Sequence, residues 1–347
     1  MEKTQSITKK LSLIESAWRD YFFTSNFLLS KINYDKIENS NYVGVIIGYL
    51  NDSLPFLKTQ ETRDENSSIF YSIGLLQTIY VQQDLVKELF GVFNLEIKIE
   101  KLKNRKLRNK LIGHPISRKE KTKELEMVSL FGYSTDNKNL NYLQYSKKNN
   151  FKCEIFEMKI ENIIESHFQF LENKFEKILE KINEIFNKYL EILEEILLKI
   201  DNLDFESLIA DIEKYLNAFF NEGLVFKKDN ILRCYELKNS HPRYEYNITY
   251  FIDSLKCYLK GKINAINECF LNKKVNYEDE NIIFNRIDLM DKLYENYPVF
   301  GIDYFKNVYK DDKKAIIELE NMQKNINNEL EYYSSYNYLN YLLSKNN

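Results

Sequence analysis

No glycine or proline lies between Gly132 and Gly223, and inside that span Ile164, Phe168, Leu171, Phe175, Ile178, Ile182, Ile185, Tyr189, Ile192 and Ile196 recur in steps of four and three. An apolar repeat of this period, uninterrupted by either helix breaker, restricts the stretch to one long amphipathic helix. About 36 residues at 1.5 Å each give a rod of roughly 54 Å. Phe170, Leu179, Phe186, Leu193 and Leu197 widen the stripe beyond a bare two-stranded seam, so packing inside a bundle and pairing between two copies both fit. His167 falls within this helix and reads as a surface or bundle residue.

The remainder of the chain points the same way. With 9 Gly and 4 Pro in 347 residues, and 44% hydrophobic residues, the composition favours helices around a sizeable core. Residues 11–31 predict an amphipathic helix carrying Leu11, Ile14, Trp18, Phe22 and Leu29, and a second runs to about Leu57, followed by a polar linker over 61–67. Residues 69–90 are apolar around most of a helical circumference and therefore predict a central, buried helix. Gln77, Gln82, Gln83 and Asp84 interrupt it, and buried polar groups need partners, so a site could be anchored there. A basic helix then runs to Ile112, with Gly113 suited to a left-handed cap and Pro115 barring continuation.

Over 126–160 the pattern shortens to partial alternation. Segments 127–133, 140–145 and 151–158 predict a three-stranded antiparallel meander. Beyond Asp201, helices are expected at about 205–221, 247–270, 279–294 and 311–343, punctuated by turns at 240–243 and 297–301; His241-Pro242-Arg243 reads as one of these turns. The expected architecture is mainly α: a helical domain (1–125), a small β-meander (126–160), the long helix (161–201) and a C-terminal helical domain (202–347).

Several function classes are disfavoured by what the residues offer. The N-terminal stretch does not read as a secretory signal, and the longest apolar run, 43–50, falls far short of the ~20 residues of a membrane span. Cys153, Cys234, Cys257 and Cys269 are scattered without a CxxC pair and read as free thiols in a reducing cytoplasm. No P-loop, dinucleotide, zinc-protease or hydrolase-elbow motif is present, and neither a cofactor nor a metal site is expected from three distant histidines.

Charge singles out one segment. The chain carries a formal −3, yet eleven basic and only two acidic side chains fall between Lys98 and Lys123. Such a local excess favours a polyanion contact, and RNA fits better than duplex DNA because no helix-turn-helix or zinc module is visible. At its centre Arg108 and His114 stand with five residues between them. A guanidinium can hold a phosphate through a planar fork of donors, and an imidazole can move a proton near neutral pH. On a regular helix these positions lie about 240° apart, so they converge only if the last turn is distorted or a second subunit completes the site.

Arg108-Asn109…Gly113-His114-Pro115 resembles the signature of HEPN ribonucleases (higher eukaryotes and prokaryotes nucleotide-binding domain), an arginine followed by a polar residue, with four to six residues between the arginine and a histidine. Residues 74–84 are also similar to the preceding helix of some bacterial members, and the resemblance covers roughly residues 10–120. It implies an α-helical bundle that forms a homodimer with a composite site and cleaves RNA (tRNA among the candidates) without a metal, in phage defence such as abortive infection or as a toxin. An antitoxin or sensor partner is implied as well. Carried over, His114 would transfer protons, Arg108 would hold the scissile phosphate and Asn109 would orient one of them. Lys110, Arg105, Lys106 and Arg118 would bind substrate, and Asp84 would support from the neighbouring helix. Two further readings stand beside this: a non-enzymatic helical interaction protein using the long helix as a docking surface, and a catalytically silent RNA-binding protein.

Overall fold

The scarcity of helix breakers is met by a mainly α-helical chain with one small antiparallel sheet, in a computed structural model that describes residues 2–34, 40–58, 65–118, 124–130, 138–147, 150–202, 204–221, 227–274, 277 and 298–344. The expected helix at 279–294 and the basic residues Lys119, Lys121 and Lys123 lie outside the described residues. The chain divides into two compact units, Met1–Thr24 with Leu28–Ile185, and Ser25–Phe27 with Phe186–Asn347.

α1 (Glu2–Ala17) opens into a π-helical turn at Trp18–Phe22, and the short α2 (Asn26–Leu29) follows, so the single helix expected over 11–31 is interrupted. The indole Nε1 of Trp18 donates to Asn41 Oδ1 at 2.7 Å, and Asn41 in turn caps α3 (Tyr42–Ser53) by accepting from the Gly44 amide. Pro55, which lacks an amide hydrogen, falls in the 3₁₀ turn Leu54–Lys58 that ends this segment. The central helix α4 (Glu65–Val92) buries Leu75, Leu76, Ile79, Val86 and Leu89, as its all-round apolar character requires. After a non-helical stretch comes α5 (Lys103–Arg108), which runs directly into a second π-helical turn, Asn109–Gly113.

Among the described residues the sheet has four strands, not three. They are β1 (Ile116–Arg118), β2 (Leu125–Leu130), β3 (Asn139–Ser146) and β4 (Glu154–Lys159), antiparallel throughout and in that order. The extra strand follows from Pro115: it forces extended backbone after the helical turn, its carbonyl accepts from the Val128 amide at 2.7 Å, and Ile116 pairs with Met127. β4 starts later than expected because Asn150 and Phe151 adopt φ of 51° and 56°, which spends them on a turn. Val128, Leu140, Tyr142 and Ser146 are buried along one face of the sheet, the period-two signature of a half-buried strand.

The long helix α6 (Ile160–Asn202) extends over 43 residues. Its expected stripe is buried within the chain except at Ile192, where Leu193, Ile196 and Ile200 take over the inward face. The handover reflects the mismatch between a seven-residue repeat and 3.6 residues per turn, about 20° per heptad. Because Ile182 and Ile185 are themselves buried, the stripe serves packing within the chain and is not a free docking face. Ser6 Oγ donates to Glu172 at 2.8 Å and Asn104 Nδ2 to the Ile163 carbonyl at 2.9 Å, tying α1 and α5 to this helix.

The second unit continues with α7 (Phe205–Tyr215), α8 (Lys228–Leu237), α9 (Pro242–Cys269), α10 (Pro298–Val308), α11 (Lys313–Lys324) and α12 (Glu329–Ser344). The turn expected at 240–243 is a helix start instead, and residues 298–301 of the one expected at 297–301 are helical. Pro242 opens α9, where a missing amide hydrogen costs nothing, and His241 caps α9 by accepting from the Arg243 amide at 3.3 Å. Ile302, Phe305, Leu319, Met322, Leu339 and Leu343 form the core of α10–α12. Beside it lies a buried polar cluster: Arg243 Nε is 3.3 Å from Glu318 Oε2, its Nη1 donates to Ser335 Oγ at 2.9 Å, and Tyr244 donates to Glu331 at 2.6 Å. None of the four cysteines forms a disulfide, and no described helix is long and apolar enough to cross a membrane.

Candidate functional site

On α4, Gln77, Tyr80 and Asp84 follow one another at spacings of three and four, which puts them on one face. On α5, Arg105 and Arg108 are three apart and present the matching face. The two arginines share one ring: their guanidinium carbons lie 3.8 Å and 4.2 Å from the centroid of Tyr80. Stacking of this kind holds a planar cation in place without consuming its in-plane donors.

The two cations are otherwise treated differently. Arg105 meets a carboxylate, with Nη1 2.8 Å from Asp84 Oδ1 in a close ion contact, and its side chain is largely covered. Arg108 meets amides. Its Nε and Nη2 both donate to Gln77 Oε1, at 3.1 Å and 3.0 Å, and Nη1 donates to Asn109 Oδ1 at 3.1 Å. Those bonds use three of the five guanidinium hydrogens and bring no negative charge.

The last turn before His114 is distorted. Across Asn109–Gly113 the helix widens to a π turn, and the His114 amide donates to the Asn109 carbonyl five residues back at 2.7 Å. Gly113 does not take the left-handed cap conformation expected of it; it continues the turn. Its lack of a side chain serves a close approach instead, since a Cβ there would stand 3.0 Å from Arg108 Nη1. The guanidinium thus lies against the residue that precedes His114. His114 itself leaves the helix at φ −140° and is exposed.

The remaining expected contact residues are dispersed. Lys110 turns toward the sheet, where Nζ donates to Gln144 Oε1 at 2.5 Å and lies over the rings of Tyr142 and Phe156. Lys106 and Arg118 are exposed on α5 and β1. Asn109 faces Arg108, and Asp84 faces Arg105. Of the polar interruptions in α4, Gln77 and Asp84 serve the arginines, whereas Gln82 points into the bundle, donating to Ser53 Oγ at 2.8 Å and accepting from His167 Nε2 at 2.7 Å.

His167 is wholly buried, and burial pushes its pKa down to about 3, so it is neutral and closed to solvent. A strongly perturbed histidine often marks a site, but here no reactant can reach it. His241 is also lowered, by burial and then by Arg243, and its Nδ1 is occupied by the Arg243 Nε hydrogen at 3.1 Å.

Tyr80 escaped the sequence reading because an aromatic residue in an apolar helix looks like core. The second-unit cluster escaped it because Arg243, Glu318 and Glu331 are far apart in the chain. Among the described residues no group of three or more His, Cys, Asp or Glu side chains is placed to hold a metal ion. No family model, no curated protein and no solved structure matches this chain.

Proposed function

We propose that the chain is an endoribonuclease that cleaves RNA by internal transesterification, with Arg108 and His114 as its catalytic pair. The observation that carries the reading is an arginine held by neutral amides, lying across a π turn against the glycine next to an exposed histidine. The likeness of this segment to the HEPN signature supports the same assignment, as does the local surplus of basic residues. RNA carries its own nucleophile, so the protein must supply proton transfer and charge stabilisation. The 2′-hydroxyl oxygen bonds to phosphorus as its proton passes to the imidazole of His114, and the bond from phosphorus to the 5′-oxygen breaks. The departing oxygen takes a proton from water or from the imidazole of a second copy. The products are a 2′,3′-cyclic phosphate and a 5′-hydroxyl.

A placed acid/base group is worth ~10²–10⁴-fold, and a fixed cation at the developing phosphorane charge adds an electrostatic contribution. The reading extends to action without a metal, a composite site in a homodimer, and a role in phage defence or as a toxin. The test is cleavage of a mixed RNA pool in EDTA by the wild type, His114→Ala and Arg108→Ala, with end-group analysis of the products. Activity in the wild type that both variants retain refutes the site.

A further inference from the structure

The arginines whose partners are described differ in what they meet. Arg19 contacts Asp20, Arg105 contacts Asp84, Arg233 contacts Glu236, and Arg243 contacts Glu318 and Glu331. Arg108 meets the amide oxygens of Gln77 and Asn109 and the face of Tyr80. The contrast with Arg105 is the most informative, since both guanidiniums are served from the same face of α4 over the same ring.

We infer that Gln77 is the positioning residue that makes Arg108 an anion receptor: its neutral oxygen fixes one edge of the guanidinium while leaving the positive charge uncompensated for a phosphodiester. A carboxylate in that position would make the same two hydrogen bonds, and stronger ones. It would also fill the role a phosphate oxygen has to play. An apolar residue would leave the charge free but the fork unoriented, and a misplacement on the order of 1 Å can cost about 100-fold in rate. An amide satisfies both requirements at once. Asn109 Oδ1, accepting from Nη1, repeats the choice on the other edge, and one hydrogen each on Nη1 and Nη2 is left without an acceptor among the described residues. Asp84 does the opposite for Arg105, whose charge meets a carboxylate.

This inference rests on the ribonuclease reading for the identity of its anion, but its central measurement does not require cleavage. The probe is a single-stranded RNA made non-cleavable by 2′-O-methyl groups, titrated by fluorescence anisotropy across a salt series, alongside melting temperatures. Gln77→Glu is expected to melt no lower than the wild type and to bind about tenfold or more weakly. Its slope of log K against log salt should be shallower by about 0.7, the loss of one phosphate contact on a single strand. Gln77→Ala should keep most of the binding and lose about 100-fold in single-turnover cleavage. Asp84→Asn, which frees Arg105, should bind more tightly with a steeper slope.

A Gln77→Glu protein that binds with wild-type affinity and slope overturns the inference, because a purely structural glutamine predicts that result. Should Gln77→Glu fail to fold, Asn109→Asp places the same charge on the other edge of Arg108 and must weaken binding in the same way. A wild type that binds the probe through Arg108 but cleaves no RNA sinks the ribonuclease reading and leaves the receptor standing. A wild type that cleaves while Gln77→Glu binds normally does the reverse.

Discussion

A Cβ on Gly113 would stand 3.0 Å from Nη1 of Arg108, closer than ordinary van der Waals contact. The obstructing atom is the end of a flexible side chain, so the fold can yield there more easily than the guanidinium can keep its position. Gly113→Ala is therefore expected to change stability by less than about 1 kcal/mol, since alanine also restricts the unfolded chain. Cleavage should fall by roughly 10- to 100-fold as Arg108 is displaced. Chemical denaturation and single-turnover cleavage on the same preparations separate the two effects.

Arg108→Lys should behave almost as badly as Arg108→Ala. A lysine keeps the charge but offers no planar fork to satisfy Gln77 and Asn109 together with a phosphate. A loss of about 10²-fold or more in single-turnover rate, with an unchanged circular-dichroism melt, is the expected pattern. Near-wild-type turnover by the lysine variant would mean that oriented donors are not what the site provides.

His167 makes the first unit sensitive to acid. Its folded pKa of about 3 lies below the ordinary value of 6.5, so its contribution is fully present above about pH 6.5 and is lost as pH falls from there toward 3. Within that window stability should drop by up to ~1.4 kcal/mol per pH unit from this group. His167→Phe leaves Gln82 Oε1 without its donor and should cost about 1–3 kcal/mol at pH 7. The gap to wild type should narrow by pH 5, as urea denaturation at the two pH values will show; a constant gap would mean that His167 is not neutral in the fold.

Two charges on α6 should have opposite outcomes. Ile182 is fully buried and Leu198 is 66% exposed. Ile182→Asp should destabilise by on the order of 4 kcal/mol or more, because a carboxylate is taken from water without a partner. Leu198→Asp should stay within about 0.5 kcal/mol of wild type. Equal tolerance at both positions would reopen the stripe as a docking surface.

The cluster around Arg243 gives a test within the second unit. Glu318 is buried, and desolvation raises its pKa against the opposing pull of Arg243. Arg243→Met alone should cost about 3–5 kcal/mol by leaving carboxylates unpaired, and adding Glu318→Leu should recover much of that loss. A double-mutant cycle by thermal denaturation measures the coupling, and additive losses would exclude it.

Local physical rules carried a large part of this protein. Period, breakers and charge are properties of neighbouring residues, so the amino-acid order alone was enough for the long helix, the buried α4, the approximate position of the sheet and the basic segment around Arg108. It also marked Gln77, Gln82 and Asp84 as polar groups that a buried helix must satisfy. What it could not assign was their partners. Gln77 and Arg108 are 31 positions apart, and Gln82 and His167 are 85 apart. Only the packing of α4 between its neighbours decides which glutamine meets a cation and which meets a histidine. The π turn at Asn109–Gly113 belongs to the same category. No local propensity calls for it, and it appears where Arg108 must reach Gln77 while the chain leaves through Pro115 to pair with β2. A side chain's chemical identity is local, but its charge balance depends on what the fold places opposite it.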